Sequence, residues 1–235
     1  MRLTSTPNVD IPQQQAKLYG LDSQHLVAVG DFLLEQQTAA AFGNMQLAAA
    51  NSGIDLQLCS AYRPFERQVH IWNAKASGTR PLLDKASHPI DYASLSEQQL
   101  IDTILIWSAL PGASRHHWGT DIDVFDAKQI IKQSLQLVSA EYQATGPCFV
   151  LHQWLVEHAV DYGFYFPYQA QQSGVSPEPW HLSYFPVAND YLCQFRADEL
   201  AKVLSQAQIS LQSPLLERLT ELVNHYVFYV APSPA

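Results

Sequence analysis

Two adjacent imidazoles and two carboxylates crowd into SRHHWGTDID, residues 114–123. His116 and Asp123 lie seven apart, with Gly119 between them. That gap is too long for neighbouring positions on one helix face. It suits a loop entering a strand, where Gly119 lets the backbone bend so that both side chains reach one point. An imidazole with a carboxylate is a hard-to-borderline donor pair, and zinc takes such donors. The competing explanation is surface chemistry, with exposed histidines and aspartates that solvate a strand. Two ligands do not close a metal site, so the rest of the chain decides.

A second motif is EPWH, residues 178–181. His181 begins an aromatic, apolar run, an odd place for a histidine unless its ring nitrogens are used. Residues three apart point to opposite faces of a straight strand. Pro179 breaks that regularity and swings Glu178 back toward His181, in the place of a base beside a metal. The alternative is a buried His181 with an exposed Glu178. A third motif, SAYRPFERQ at 60–68, puts Arg63 between a strand and a helix. A guanidinium there binds a carboxylate or a developing oxyanion, and Gln68 joins it from the helix. By itself, Arg63 also reads as an ordinary surface arginine.

These motifs need elements to position them. The sequence predicts a helix over 31–51 capped by Asp31, a strand over 54–60, and a helix from Pro64 to about Ala76. Ser96 and Gln99 form a capping box, with Leu95 and Leu100 as a staple, for a helix over 95–109. WGTDIDVFD reads as a strand with Ile122 and Val124 on one face and Asp121, Asp123 and Phe125 on the other. Helices are expected over 127–143 and 149–162, the second ended by Gly163. Short aromatic strands follow in FYFPY and WHLSYF. The chain turns helical again after Pro186, and a last helix from Ser213 and Pro214 carries Leu215, Leu219, Leu222 and Tyr226 on one side. Few, bunched strands among helices give an α+β fold, a small antiparallel sheet flanked by helices. The expected organisation is one catalytic domain over 1–186, with its core from about 31, and a helical C-terminal extension over 187–235 packed on it.

The totals narrow the partners. A net charge of −9 over 235 residues argues against a nucleic-acid backbone, which needs a basic face. Cys59, Cys148 and Cys193, with no CxxC, are not a disulfide framework and read as reduced or buried thiols. No apolar run has the length of a membrane span. The first twenty residues lack the apolar stretch of a secretory signal, so the chain as written reads as cytoplasmic. A periplasmic location requires another export route or a trimmed sequence.

Ser114, His116, Gly119 and Asp123 as SxHxxGxxxD, followed by Glu178 and His181 in EPWH, resemble the zinc D-alanyl-D-alanine carboxypeptidases of the VanY type. These belong to a larger group with lysostaphin and the sonic hedgehog domain. SAYRPFERQ is similar to that family's S-x-Y-R-x-x-x-x-Q segment, and WLVEHAVDYGF is familiar from it; the resemblance spans about 31–186. It implies a hedgehog/D-Ala-D-Ala peptidase-like fold and one zinc ion on His116, Asp123 and His181. It also implies Glu178 as base and Arg63 as the polarising cation, with Gln68 and Ser114 helping to hold the substrate's terminal carboxylate. The substrate implied is a peptidoglycan stem peptide or precursor ending in D-alanine.

The same chemistry serves an L,D-carboxypeptidase or a peptidoglycan endopeptidase. A non-catalytic, zinc-stabilised binding domain is the reading from another class. Glu178 and Arg63 argue against it, because a structural zinc needs neither. Asp121 departs from the family, which often has alanine there, and can pair with Arg115. The long segment at roughly 78–110 also departs and is placed to shape access. His117 is the close competitor of His116 as a ligand, and Trp118 and Trp180 are expected as walls of the site.

Overall fold

The computed structural model describes residues 11–234; the first ten residues, part of the stretch read for a signal segment, lie outside it. A short α1 (Gln13–Ala16) precedes a hairpin of β1 (Leu26–Val29) and β2 (Phe32–Glu35), followed by α2 (Gln36–Asn51). Next come β3 (Leu56–Ser60), α3 (Phe65–Ala76), a small hairpin of β4 (Leu82–Leu83) and β5 (Pro89–Ile90), and α4 (Glu97–Leu105). Then β6 (Asp121–Asp126), α5 (Phe149–His158), β7 (Phe164–Tyr165) and β8 (His181–Tyr184) complete the sheet region. The chain ends in α6 (Phe185–Gln194), α7 (Ala197–Gln206), α8 (Gln212–Glu217) and α9 (Leu219–Val223).

The central sheet has the order β3-β6-β8-β7 and is antiparallel throughout. Alternation along its strands separates two kinds of surface. Leu58, Ile122, Val124 and Leu182 share an apolar core with Phe42 and Met45 of α2 and Leu151 and Leu155 of α5. Asp121, Asp123, His181 and Ser183 occupy the opposite face, where Asp123 pairs with His181 and Asp121 with Ser183. The fold is thus α+β, a small antiparallel sheet flanked by helices.

A second core lies behind the polar face. Phe65 and Trp72 of α3 and Ile101 and Ile104 of α4 pack with Leu200, Leu215 and Leu222 from the last helices. Trp72 donates to the Ser210 carbonyl at 2.9 Å, and Arg218 pairs with Asp102 at 2.9 Å. The last helices therefore pack on α3 and α4, and α3 supplies Gln68, which holds Arg63.

Four expected elements differ, one of them the last helix, which breaks at Arg218 into α8 and α9. Residues 32–35 are strand rather than helix, because Gly30, at φ 57°, and Asp31 form a two-residue turn that pairs Val29 with Phe32. Asp31 belongs to that turn, and Glu35 caps α2 instead, accepting from the Thr38 N–H at 2.9 Å. No α-helix forms over 127–143, which holds only 3₁₀ turns at Lys132–Ser134 and Ser139–Tyr142. Leu137 has φ 55°, incompatible with a helix. The Glu141 carboxylate accepts from Gln136 N at 3.0 Å and Val138 N at 3.2 Å, tying this segment as a loop. The capping box forms as expected, but α4 stops at Leu105 rather than near 109.

Candidate active site

The segment from Ser114 to Asp123 converges by one tight turn. Arg115–Trp118 form a 3₁₀ turn that Gly119 ends at φ 71°. A Cβ at Gly119 would lie 2.5 Å from Leu26 Cδ2 and 2.9 Å from Glu35 N, so both conformation and space demand glycine. The turn delivers His116 over β6, beside Asp123. His116 Nε2 stands 3.3 Å from Asp123 Oδ2, and His181 Nδ1 stands 3.0 Å from Asp123 Oδ1. The two rings are 4.9 Å apart and nearly perpendicular.

The remaining ring nitrogens are occupied. His116 Nδ1 is 3.2 Å from the Asp121 carbonyl, and His181 Nε2 is 3.0 Å from Asp121 Oδ1. That leaves His116 Nε2, His181 Nδ1 and the Asp123 carboxylate facing one another, with one donor atom from each within 4.8 Å of the others. All three residues are buried. Two imidazoles, each braced from behind by Asp121, and one carboxylate fit zinc. Burial opposes charge on His181, yet its hydrogen bonds to Asp121 and Asp123 outweigh burial and push the ring up to about 10.

Glu178 and Arg63 reach the same cavity, of about 240 Å³, as does Ser114. The Glu178 carbonyl accepts from His181 N at 3.1 Å, so the prolyl turn does bring the two residues together. Glu178 Oε2 is 3.7 Å from His181 Nδ1. Burial pushes the Glu178 carboxyl up to about 7; Asp123 adds to the rise, while His181 and Arg63 oppose it. Arg63 Nη1 donates to Gln68 Oε1 at 2.9 Å, and Nη2 donates to Ser60 Oγ at 3.3 Å. Gln68 donates in turn to the Ala109 carbonyl at 2.7 Å. Gln68 is fully buried behind Arg63 and is not on the cavity wall.

His117 points away from this centre. Gly112 N–H donates to its Nε2 at 3.0 Å, and its Nδ1 donates to the Arg63 carbonyl. Burial lowers its ring to about 3. It is a neutral link between the arginine loop and the histidine turn. Asp121 pairs with Arg115 Nε at 2.8 Å, as the sequence allowed. Trp180 lines the cavity, but Trp118 does not; it is buried in the second core, donating to the Leu18 carbonyl at 3.0 Å.

Several wall residues carried no motif. Tyr168, whose ring centre is 4.7 Å from that of His181, is one. Trp107 is another: it stacks on Trp180 at 6.4 Å and donates to the Asp84 carbonyl at 2.9 Å. Leu83, Ser87 and Trp107 come from the 78–110 segment, so that segment does form part of the cavity wall. Gln136, Leu137 and Val138 close it from the loop that replaces the expected helix.

Comparison with known proteins gives the family and the fold. A Haemophilus influenzae protein without an assigned function is 36% identical over 121 residues, half of this chain and 92% of that one. A D-alanyl-D-alanine carboxypeptidase of Enterococcus faecalis is 29% identical over 140 residues, 58% of this chain and 42% of that one. Among solved structures, VanYB in complex with D-Ala-D-Ala has a TM-score of 0.53 at 21% identity, covering 85% of this chain and 95% of that one. A VanY D,D-pentapeptidase variant from the VanB-type resistance cassette, in complex with Zn(II), has a TM-score of 0.50 at 23% identity, covering 72% and 86%. At these identities the two structures speak for the fold, that of the VanY D-Ala-D-Ala peptidases. The description of the VanY family, D-alanyl-D-alanine carboxypeptidase, matches residues 31–187, more than half of the chain, and the protein belongs to that family.

Proposed function

We propose that this protein is a zinc-dependent carboxypeptidase that removes the terminal D-alanine from peptidoglycan stem peptides. One observation carries the reading beyond family membership: Glu178 and Arg63 line the same cavity as the three-donor cluster of His116, Asp123 and His181. A purely structural metal needs neither an acid of raised pKa nor a guanidinium beside it.

Zinc, when bound, supplies a Lewis acid that polarises a carbonyl and acidifies water. The chain's own groups do the rest. Glu178, brought near neutrality by burial, takes the proton of the attacking water and passes it to the departing D-alanine nitrogen. Arg63, held by Gln68 and Ser60, presents its charge to the peptide's free carboxylate or to the developing oxyanion. Ser114 offers a hydroxyl on the same wall. Capture of a free carboxylate makes the enzyme a carboxypeptidase rather than an endopeptidase. Leu83, Trp107 and Leu137 give the cavity an apolar wall. All these residues fall within 1–186, which we read as the catalytic unit, with the helices beyond 187 as its brace. No helix among the described residues is long and apolar enough to cross a membrane.

The test is mass spectrometry of products from an acyl pentapeptide ending in D-Ala-D-Ala, with zinc and with chelator. Release of one D-alanine, abolished by chelator and restored by zinc, is expected. A zinc-replete protein that leaves the pentapeptide intact but trims the tetrapeptide is an L,D-carboxypeptidase. One that cuts neither peptide sinks the catalytic reading.

A further inference from the structure

Behind the three-donor cluster lies a second buried carboxylate that the proposed chemistry does not use. Asp121 is fully buried on the same face of β6 as Asp123. Its Oδ1 is 3.0 Å from His181 Nε2 and accepts from Arg115 Nε at 2.8 Å. Its Oδ2 accepts from Thr120 Oγ1 at 2.7 Å and from Ser183 Oγ at 3.1 Å. Arg115 Nη2 also donates to Ser183 Oγ, at 2.6 Å. Four donors on two oxygens leave this carboxylate one orientation.

The register explains its reach. Asp123 is directly opposite His181, and Asp121 is opposite Ser183. The His181 ring thus meets Asp123 with Nδ1 and reaches diagonally to Asp121 with Nε2. The same residue serves the other imidazole through its backbone, because the Asp121 carbonyl is 3.2 Å from His116 Nδ1. Arg115 balances the charge of Asp121. Asp123 is then left as the carboxylate whose charge faces the metal position.

We propose that Asp121 is a positioning residue for the metal site. Its side chain accepts the Nε2 proton of His181 and so turns the Nδ1 lone pair toward the metal. Its carbonyl accepts the Nδ1 proton of His116 and so frees Nε2. Arg115, Thr120 and Ser183 lock the carboxylate that performs the first task. This rests on the reading of His116, Asp123 and His181 as ligands. A carboxylate behind a ligating imidazole fixes its tautomer and raises its basicity, and its loss costs about 10- to 100-fold in metal affinity or activity.

The experiment measures zinc affinity by chelator competition, and the His181 ring N–H by proton–nitrogen NMR of the zinc-loaded protein. Two variants are used beside the unmutated chain: Asp121→Asn, and the double variant Asp121→Ala with Arg115→Met. The double variant removes the guanidinium that a single truncation would strand. Circular dichroism of the metal-free forms establishes that each is folded. The unmutated protein should show a downfield, exchange-protected Nε2–H from His181. The double variant should bind zinc about 10- to 100-fold more weakly and lose that protection, with Asp121→Asn between the two. A folded double variant whose zinc affinity stays within about twofold of the unmutated protein overturns the proposal, because the expected loss is 10- to 100-fold. If the unmutated protein takes up no zinc at all, the ligand reading fails first and this proposal with it.

Discussion

Asp123 and His181 oppose each other in the antiparallel ladder of β6 and β8, with Oδ1 and Nδ1 3.0 Å apart. They are 58 residues apart in sequence. Because side chains alternate along a strand, a slip of one residue would put Leu182 in the site and His181 in the apolar core. The sheet register that buries Ile122, Val124 and Leu182 is therefore what assembles this pair. His116 comes to the same point by a different route, the 3₁₀ turn closed by Gly119. Zinc at one equivalent is the expected content. His116→Ala and His181→Ala should lose most of it by elemental analysis. His117→Ala should keep it, since both ring nitrogens of His117 are engaged elsewhere. Zinc retained in His116→Ala and lost in His117→Ala would mean that the wrong imidazole has been assigned.

Arg63 is aimed by a chain of contacts. Gln68 grips Nη1 and is itself anchored on Ala109, while the Arg63 backbone N–H donates to the His116 carbonyl at 3.1 Å. Arg63→Ala should fold, keep zinc and lose kcat/KM by roughly 10²- to 10³-fold, the scale of one lost oxyanion donor. Arg63→Lys should recover little, because a point charge does not reproduce a planar fork. Gln68→Ala should act through Arg63, with a smaller loss and no change in zinc content. Steady-state kinetics on a D-Ala-D-Ala peptide reads all three, and near-normal turnover in Arg63→Ala would remove Arg63 from the mechanism.

The parts of this molecule that were legible in its sequence are those where local chemistry and tertiary structure agree. The alternation of β6, the capping box of Ser96 and Gln99 and the turn at Gly119 are set by residues close in sequence. So is the return of Glu178 toward His181, since Pro179 is part of the same short turn. The failures have a common cause in competing local partners. Asp31 has the chemistry of a helix cap, but the Gly30 turn claims it first. Residues 127–143 have helix-forming composition, but Glu141 draws the Gln136 and Val138 amides into a loop. Tyr168 and Trp107 reach the cavity only through long-range packing, against His181 and Trp180, and nothing local marks them. Gln68 was expected at the substrate, and only the three-dimensional contacts place it behind Arg63.

His117 gives a pH dependence with a definite sign. Burial lowers its ring from 6.5 to about 3. The unfolded chain therefore takes a proton there at a pH where the folded chain refuses it. Stability linked to this group is present above 6.5 and is lost as pH falls from 6.5 toward 3. Urea unfolding of the metal-free protein across that range should show the decline. His117→Gln should be less stable at pH 7, having lost a two-sided link, but its stability should fall less steeply with acid. Equal slopes in the two proteins would exclude His117 as a source of acid sensitivity.

Glu178 should separate chemistry from metal binding. Its carboxylate is 3.7 Å from His181 Nδ1, farther than the 3.0 Å of Asp123, and it lies outside the three-donor cluster. Glu178→Gln should therefore keep zinc while activity falls by roughly 10²- to 10⁴-fold, the scale of a general acid–base group. Burial raises the carboxyl from 4.5 to about 7, and the base works only when deprotonated. The acid limb of kcat/KM should thus lie above 4.5, below 7 to the extent that bound zinc pulls the carboxyl down, and should vanish in Glu178→Gln. Stability gives an independent check with the opposite sign to His117. Between 4.5 and 7 the folded metal-free protein holds a proton that the unfolded chain has released, so stability falls as pH rises through that window. Glu178→Gln removes this cost. At pH 8 the metal-free variant should melt no lower than the unmutated protein, and at pH 4 the two should converge. A variant that loses zinc would make Glu178 a ligand, and a variant that keeps full turnover would remove it as the base.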